Sequence, residues 1–322
     1  MSDYKDNPTF LVTGSEGATG LYLINSLSTK YPNSKLIRVA RSDKNLTSNN
    51  RNHKIYNGDL LDPKFCKKIF NENHIDIIIC SAALWNGLNE DQFIYNSNIT
   101  LFKNLLLSVN KNLKHIIFFS SSAVYSPGDY SDSQFILLDP KSAYGKSKLE
   151  SEILLHEKAL ENNFNYTIYR PFHIMSPMEK YNQGISHITT DFTYRYVEKK
   201  IDFDWNNLDD IPKIPLSWVG DISELIVSNI SNKNLMNETF NIGSKYLFSV
   251  HDLALSIAIT ANKLGLSSYS SYIKRNFNGK LKNNFFNKLN QVLEYPEFNN
   301  LQNMVEMYLQ IKYGDKNEDK RF

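Results

Sequence analysis

Short apolar runs alternate along the first two-thirds of the chain with longer segments whose apolar residues fall at helical spacing. The runs predict strands at residues 9–13, 36–40, 54–57, 76–81, 115–120 and 166–170, and the periodic segments predict helices at 18–30, 63–71, 91–109 and 144–162. Ile77-Ile78-Ile79-Cys80 has no polar alternation, so both faces of that strand should be buried, as parallel strands covered by helices require. Strand and helix in repeated alternation predict an α/β fold, a Rossmann-type doubly wound parallel sheet. After Pro171 the rhythm becomes irregular, broken by Pro177, Gly184, Pro212 and Pro215. A helix at 221–230, a strand at 239–242 and a helix at 251–264 follow, and the remainder reads as an Asn/Lys/Phe-rich stretch ending in a charged tail. No internal repeat is present.

Composition narrows the function classes. Among 322 residues, 36 basic and 34 acidic side chains leave a net charge of +2, so neither a nucleic acid nor a membrane surface is expected as the main partner. With 41% hydrophobic and 13% aromatic residues the chain can offset its folding entropy, and its length suits one large domain or two coupled ones. Cys66 and Cys80 cannot form a disulfide framework and lack metal-ligand spacing; the seven histidines are scattered, and no metal is assigned. The polar start and the absence of a run of about 18 apolar residues give the expectation of a cytoplasmic protein.

Two motifs carry chemistry. The first strand runs into Gly14-Ser15-Glu16-Gly17-Ala18-Thr19-Gly20 and then a helix. Glycines at these positions permit a tight turn, a close approach to a pyrophosphate, and close helix–strand packing, with the phosphates on the amides of the helix start. The second motif is Ser120-Ser121-Ser122-Ala123-Val124-Tyr125 after the fifth strand, with Tyr144-Gly145-Lys146-Ser147-Lys148 opening the next helix. Tyr144 and Lys148 stand at i and i+4 and share a face. An ammonium near a phenol favours phenolate and makes the tyrosine a usable general acid or base, while a serine hydroxyl can hold the substrate oxygen.

With these motifs the chain resembles the extended short-chain dehydrogenase/reductase family, the epimerase/dehydratase group acting on nucleotide sugars. Gly58-Asp59-Leu60, Cys80-Ser81-Ala82-Ala83, Asn98, Arg170-Pro171-Phe172-His173, Val219-Gly220-Asp221 and Phe240-Asn241-Ile242-Gly243 match further landmarks, with Cys80 where His is usual and His173 where Asn is more common. The resemblance implies a dinucleotide-binding domain at 8–172 with a return segment at 216–243, and a smaller interleaved C-terminal substrate domain at 173–215 and 244–322. It implies a catalytic group of Ser121, Tyr144 and Lys148, with Ser122 as the alternative serine when the run is counted forward. Cofactor contacts would come from Gly14, Gly17, Ala18, Thr19, Gly20, Arg41, Ser42, Asp59, Leu60, Ala82, Ala83, Asn98, Tyr144, Lys148, Phe172 and His173. Substrate contacts would come from Trp85, Asn86, Ser122, Tyr125 and His173, although Trp85 equally suits core packing.

In NAD-preferring members the second strand ends in an acidic residue; here Arg41 and Ser42 stand there, with no carboxylate until Asp43. A guanidinium suits a 2′-phosphate, so NADP is favoured over NAD, with Asp43 reaching back to the ribose as the alternative. Ser122-Ala123 replaces the Asp-Glu pair of the dehydratases, which disfavours 4,6-dehydration. An NAD(P)-dependent epimerase or ketoreductase of a nucleotide sugar is therefore expected. The alternatives are an NADPH-dependent reductase of a carbonyl compound that is not a nucleotide sugar, and a catalytically silent dinucleotide-binding scaffold. Lys274, Arg275, Lys280, Lys282 and Lys288 would suit a nucleotide diphosphate, although such runs are more often a solvated face. The family implies a homodimer through the helices at 91–109 and 144–162, whose apolar stripes equally suit covering the sheet.

Overall fold

The computed structural model describes residues 7–41, 50–85, 91–126, 137–183, 185–205, 208, 213–267, 281–282, 287–293 and 296–314. Along them the order is β1 (Phe10–Thr13), α1 (Gly20–Lys30), β2 (Leu36–Ala40), β3 (His53–Asn57), α2 (Pro63–Glu72), β4 (Ile77–Cys80), α3 (Gln92–Leu106), β5 (His115–Phe119), α4 (Ala143–Asn162), β6 (Asn165–Pro171), β7 (Ile174–Met175), α5 (Ile188–Thr193), β8 (Ser217–Trp218), α6 (Val219–Ser228), β9 (Glu238–Ile242), β10 (Tyr246–Leu247), α7 (Val250–Lys263), β11 (Leu281–Lys282), α8 (Asn287–Asn290) and α9 (Leu301–Tyr313). The chain divides into one compact unit of residues 1–127, 136–171 and 223–241, and another of 128–135, 172–222 and 242–322.

The first unit is built on a seven-stranded sheet in the order β3-β2-β1-β4-β5-β6-β9. The pairs β1–β2, β1–β4, β2–β3, β4–β5 and β5–β6 are parallel. From β1 the chain winds outward to β2 and β3, then returns past β1 to β4, which leaves a topological switch point at the carboxyl ends of β1 and β4. One sheet face contributes Leu11, Ile37, Val39, Ile78 and Ile116 to a core shared with Cys66 and Ile69 of α2, Phe102 of α3 and Leu155 of α4. The alternate positions Phe10, Val12, Ile77 and Ile79 are also fully buried, so the unbroken apolar run of β4 is covered on both sides. The helix starts follow from local chemistry. Asp62 accepts from Lys64 N with Pro63 in the first turn, Asp91 accepts from Phe93 N, and Ser142 accepts from Gly145 N. Each such cap stabilises its helix by about 1 kcal/mol.

In the second unit β7 pairs in parallel with β8, and β10 pairs antiparallel with β11. Helix α7 is buried along nearly its whole length, and Gln302 and Glu306 of α9 bond to its Thr260 and Lys263. Helix α9 lies in the Asn/Lys/Phe-rich remainder, to which the sequence pattern assigns no element. Leu301, Met304, Val305, Tyr308 and Leu309 are buried at helical spacing, and Asn300 caps the start. The Asn- and Lys-rich composition around it masked that stripe. Among the described residues no helix is long and apolar enough to cross a membrane.

Candidate active site

The glycine turn closes against the end of β4. Gly14 has φ +66°, and a Cβ there would stand 2.8 Å from the N and Cα of Ala82; a Cβ on Gly20 would stand 2.1 Å from the Gly14 carbonyl oxygen. Only glycine fits both places. Gly17 N donates to Gly14 O at 2.9 Å, and Ser15 N donates to Val39 O at 3.1 Å, which ties the turn to β2. Helix α1 then begins without an acidic residue in its first turn, and the side chain of its N-cap, Thr19, makes no capping bond. No side chain from that turn competes with an anion for the first amides, so Gly14 to Gly20, with Ala18 and Thr19 at the helix start, fit a dinucleotide pyrophosphate.

The wall beside this cradle is fixed by polar bonds. Ser81 Oγ donates to Thr13 O at 2.7 Å, and Ala82 N donates to Thr13 Oγ1 at 3.3 Å. Asn98 accepts from Leu84 N at 2.7 Å, donates to Leu84 O at 3.0 Å, and donates to Ser147 Oγ at 3.1 Å. It therefore pins residues 82–85 to α3 and α4, while Ala83 stays exposed. Asp59, exposed, accepts from Leu61 N, and the Leu60 side chain enters the core. Arg41 is exposed at the end of β2; Ser42 and Asn86 lie outside the described residues.

Beyond β5, Ser121 begins a single 3₁₀ turn, Ser122–Val124, and accepts from Ala123 N at 3.1 Å. Helix α4 packs closely on that turn, since a Cβ at Gly145 would lie 2.1 Å from Ala123 O. This packing sets the Tyr144 phenol beside Ser121; the run's alternative, Ser122, instead opens the 3₁₀ turn. Lys148, one turn along α4, is 4% exposed and donates to Phe119 O at 2.7 Å, with Nζ 5.6 Å from the Tyr144 ring centroid. Trp85 meets Tyr144 edge-on at 4.8 Å. Burial pushes the Tyr144 phenol up to about 12, opposed by the Ser121 hydroxyl, and burial pushes Lys148 down to about 8, opposed by Cys80 and Glu152. The phenol thus stands above its ordinary value here, contrary to the expectation that Lys148 brings it down, because burial is the larger cause.

Below this group lies a polar network. Arg170 donates to both carboxylate oxygens of Glu152, at 2.9 and 2.5 Å, and to Tyr125 OH at 2.8 Å. Ser120 also donates to Glu152, and Tyr125 OH donates to Asn241 Oδ1 at 2.6 Å.

A model of the NAD dependent epimerase/dehydratase family matches residues 10–243. The chain belongs to this family. A dTDP-D-glucose 4,6-dehydratase of Dictyostelium discoideum is 29% identical over 192 residues, covering 52% of this chain and 44% of that protein. The chain spans about half the length of the curated relatives it matches. The crystal structure of a UDP-glucose 4-epimerase of Thermotoga maritima with UDP-glucose superposes with a TM-score of 0.76 at 20% identity, over 94% of this chain and 97% of that one. A UDP-glucuronic acid 4-epimerase of Bacillus cereus, in complex with UDP-glucuronic acid and NAD, gives 0.72 at 21% identity over 95% and 100%.

The family's landmarks do not all fall in the first unit. Phe172, fully buried, and His173 belong to the second. His173 has φ +31°, and burial, followed by His187, pushes its imidazole down to about 4. Among the described residues no cluster of His, Cys, Asp and Glu could hold a metal ion. Sequence reasoning missed Glu152 and Glu16. Glu152 continues the Tyr144, Lys148 spacing by one more turn, and Glu16 sits inside the glycine turn, so both were visible as positions though not as partners.

Lys148 gives this site a pH signature. Its folded value lies below the ordinary lysine range, so between about pH 8 and that range the unfolded chain holds a proton that the folded chain has released. Its contribution to stability therefore rises with pH through that window. The melting temperature of the native protein, taken relative to that of Lys148→Met, should be higher at pH 10 than at pH 7; a difference independent of pH would show that Lys148 keeps an ordinary affinity for its proton.

Proposed function

We propose that the chain is a nucleotide-sugar epimerase that works by hydride transfer at a sugar carbon, C4 in the simplest case, with Tyr144 as general acid and base. The observation that carries this reading is the convergence of Tyr144 on Ser121, whose hydroxyl acts on the phenol, with Lys148 fixed one turn away by the Phe119 carbonyl. NAD, when bound at the glycine turn, would supply reversible hydride acceptance at the sugar carbon. Tyr144 takes the hydroxyl proton as the ketone forms and gives it back when the hydride returns to the opposite face, so no net oxidant is consumed. Ser121 donates to the same oxygen and holds it at the phenol. Lys148, held by Phe119 O, offsets the charge that develops on Tyr144.

The fit of NAD rests on the glycine cradle, whose two closest approaches admit no side chain. The family is NAD-dependent, and structures of similar proteins hold NAD. The NADP preference expected from Arg41 has no support in these comparisons.

Dehydration is the reading favoured by the matched dehydratases. Elimination needs an acid and a base besides the tyrosine, and this chain has Ser122 and Ala123 after the catalytic serine. The carboxylate beneath the group, Glu152, is held on both oxygens by Arg170 and also by Ser120. These observations support epimerisation. Phe172 and His173 would border the nicotinamide, and Trp85 and Tyr125 would contact the sugar; a dimer and a cytoplasmic location belong to the same proposal. Incubation with NAD and a panel of UDP-, dTDP-, GDP- and CDP-sugars, read by NMR, should yield an epimer of unchanged mass; a product that has lost water would identify a dehydratase.

A further inference from the structure

The end of β2, beside the glycine turn, is where this fold reads the 2′ position of the adenosine ribose, through an acidic side chain or through an arginine. Here β2 ends at Ala40, Arg41 follows it, and no carboxylate stands between Leu36 and Arg41. A carboxylate reaches the same strand from the opposite side. Glu16, between Gly14 and Gly17, accepts from Arg38 of β2 at 2.7 Å, and the two side chains are 23% and 13% exposed. The loop cannot drift from the strand, because Ser15 binds Val39 O through both its amide, at 3.1 Å, and its hydroxyl, at 3.2 Å.

The two oxygens of Glu16 are not equivalent. Both recorded bonds, from Arg38 at 2.7 Å and from Ser15 Oγ at 3.4 Å, fall on Oε1. Among the described residues Oε2 has no partner. A carboxylate with one oxygen anchored and the other open is an acceptor of fixed direction, suited to a ribose hydroxyl and repulsive toward a phosphate. Arg38 is meanwhile occupied, one nitrogen on Glu16 and its Nε buried without a partner among the described residues.

We propose that Glu16 is the residue that selects NAD over NADP, taking from within the glycine turn the role usually filled from the end of the second strand, with Arg38 as its positioning residue. This rests on the reading of the site as a dinucleotide site. It accounts for a chain that carries arginines at 38 and 41 and still belongs to an NAD-dependent family. Removing the carboxylate releases Arg38, so one substitution both removes the hydroxyl acceptor and frees a cation for a 2′-phosphate.

The test is calorimetric titration of cofactor-free protein with NAD⁺ and with NADP⁺. The native protein should bind NAD⁺ more tightly. Glu16→Ala should weaken NAD⁺, tighten NADP⁺, and move the ratio of the two dissociation constants by about tenfold or more toward NADP⁺. Glu16→Gln retains the bond to Arg38 and should move the ratio less, which keeps the test usable if the alanine variant folds poorly. Arg38→Met should weaken NAD⁺ without gaining NADP⁺. The same comparison with 5′-AMP and adenosine 2′,5′-bisphosphate confines the readout to the ribose. A ratio unchanged in both Glu16 variants would reduce the pair to a brace for the loop, and tighter NADP⁺ in the native protein would overturn the assignment. Binding of neither dinucleotide would overturn the functional reading and this assignment with it.

Discussion

Tyr144→Phe should lower turnover by about 10²–10⁴-fold while leaving NAD binding within a factor of about two, because a positioned acid–base group contributes that much to proton transfer. The variant deletes one oxygen from a site otherwise intact. The ring keeps its edge contact with Trp85, Ser142 still caps α4, and Gly145 still lies against Ala123. Lys148 keeps its bond to Phe119 O. Steady-state rates with an epimerised nucleotide sugar, paired with titration of NAD, separate the two effects. Turnover retained in the variant would remove Tyr144 from the mechanism, and joint loss of turnover and binding would make it a structural residue.

Glu152→Ala should destabilise the first unit by about 3–5 kcal/mol, the usual consequence of leaving one partner of a buried ion pair alone. Burial works against the charge of Arg170, and Glu152 more than offsets it, holding the guanidinium firmly protonated. The side chains are 12% and 7% exposed, so water cannot replace the missing carboxylate. The variant also strips Ser120 of its acceptor directly before Ser121, and removes a charge that favours protonated Lys148. Denaturant titration checks the stability, with an unchanged slope marking a pure stability effect. Replacing both Glu152 and Arg170 with apolar residues should recover much of the loss. A single variant as stable as the native protein would show that the pair carries no weight in the fold.

The parts of the molecule governed by short-range pattern were legible in the sequence. Strand β2 falls on the residues its apolar run marks, and α2 begins where Asp62 and Pro63 announce it. Glycine positions 14 and 20 were readable because so few residues satisfy a turn that meets Ala82 on one side and a helix start on the other. Helix α9 was hidden by composition, although its buried positions keep helical spacing. What spacing cannot supply is partnership. That Arg38 turns toward Glu16, that Arg170 grips Glu152, and that Trp85 lies on Tyr144 depends on which elements the fold sets side by side, 18 to 59 positions apart in the chain. The direction of the Tyr144 shift was missed for the same reason, since the depth of burial decides it and periodicity does not report depth.

The central claim is that the hydrogen removed from the sugar is held by the bound dinucleotide and returned to the same molecule. Deuterium placed at the reacting carbon of an accepted nucleotide sugar tests this directly, with the reaction run in ordinary water and the epimer read by NMR and mass spectrometry. The account predicts that the product keeps its deuterium at that carbon. Exchange of the label for solvent hydrogen would mean that the carbon is deprotonated rather than stripped of hydride, and would contradict it.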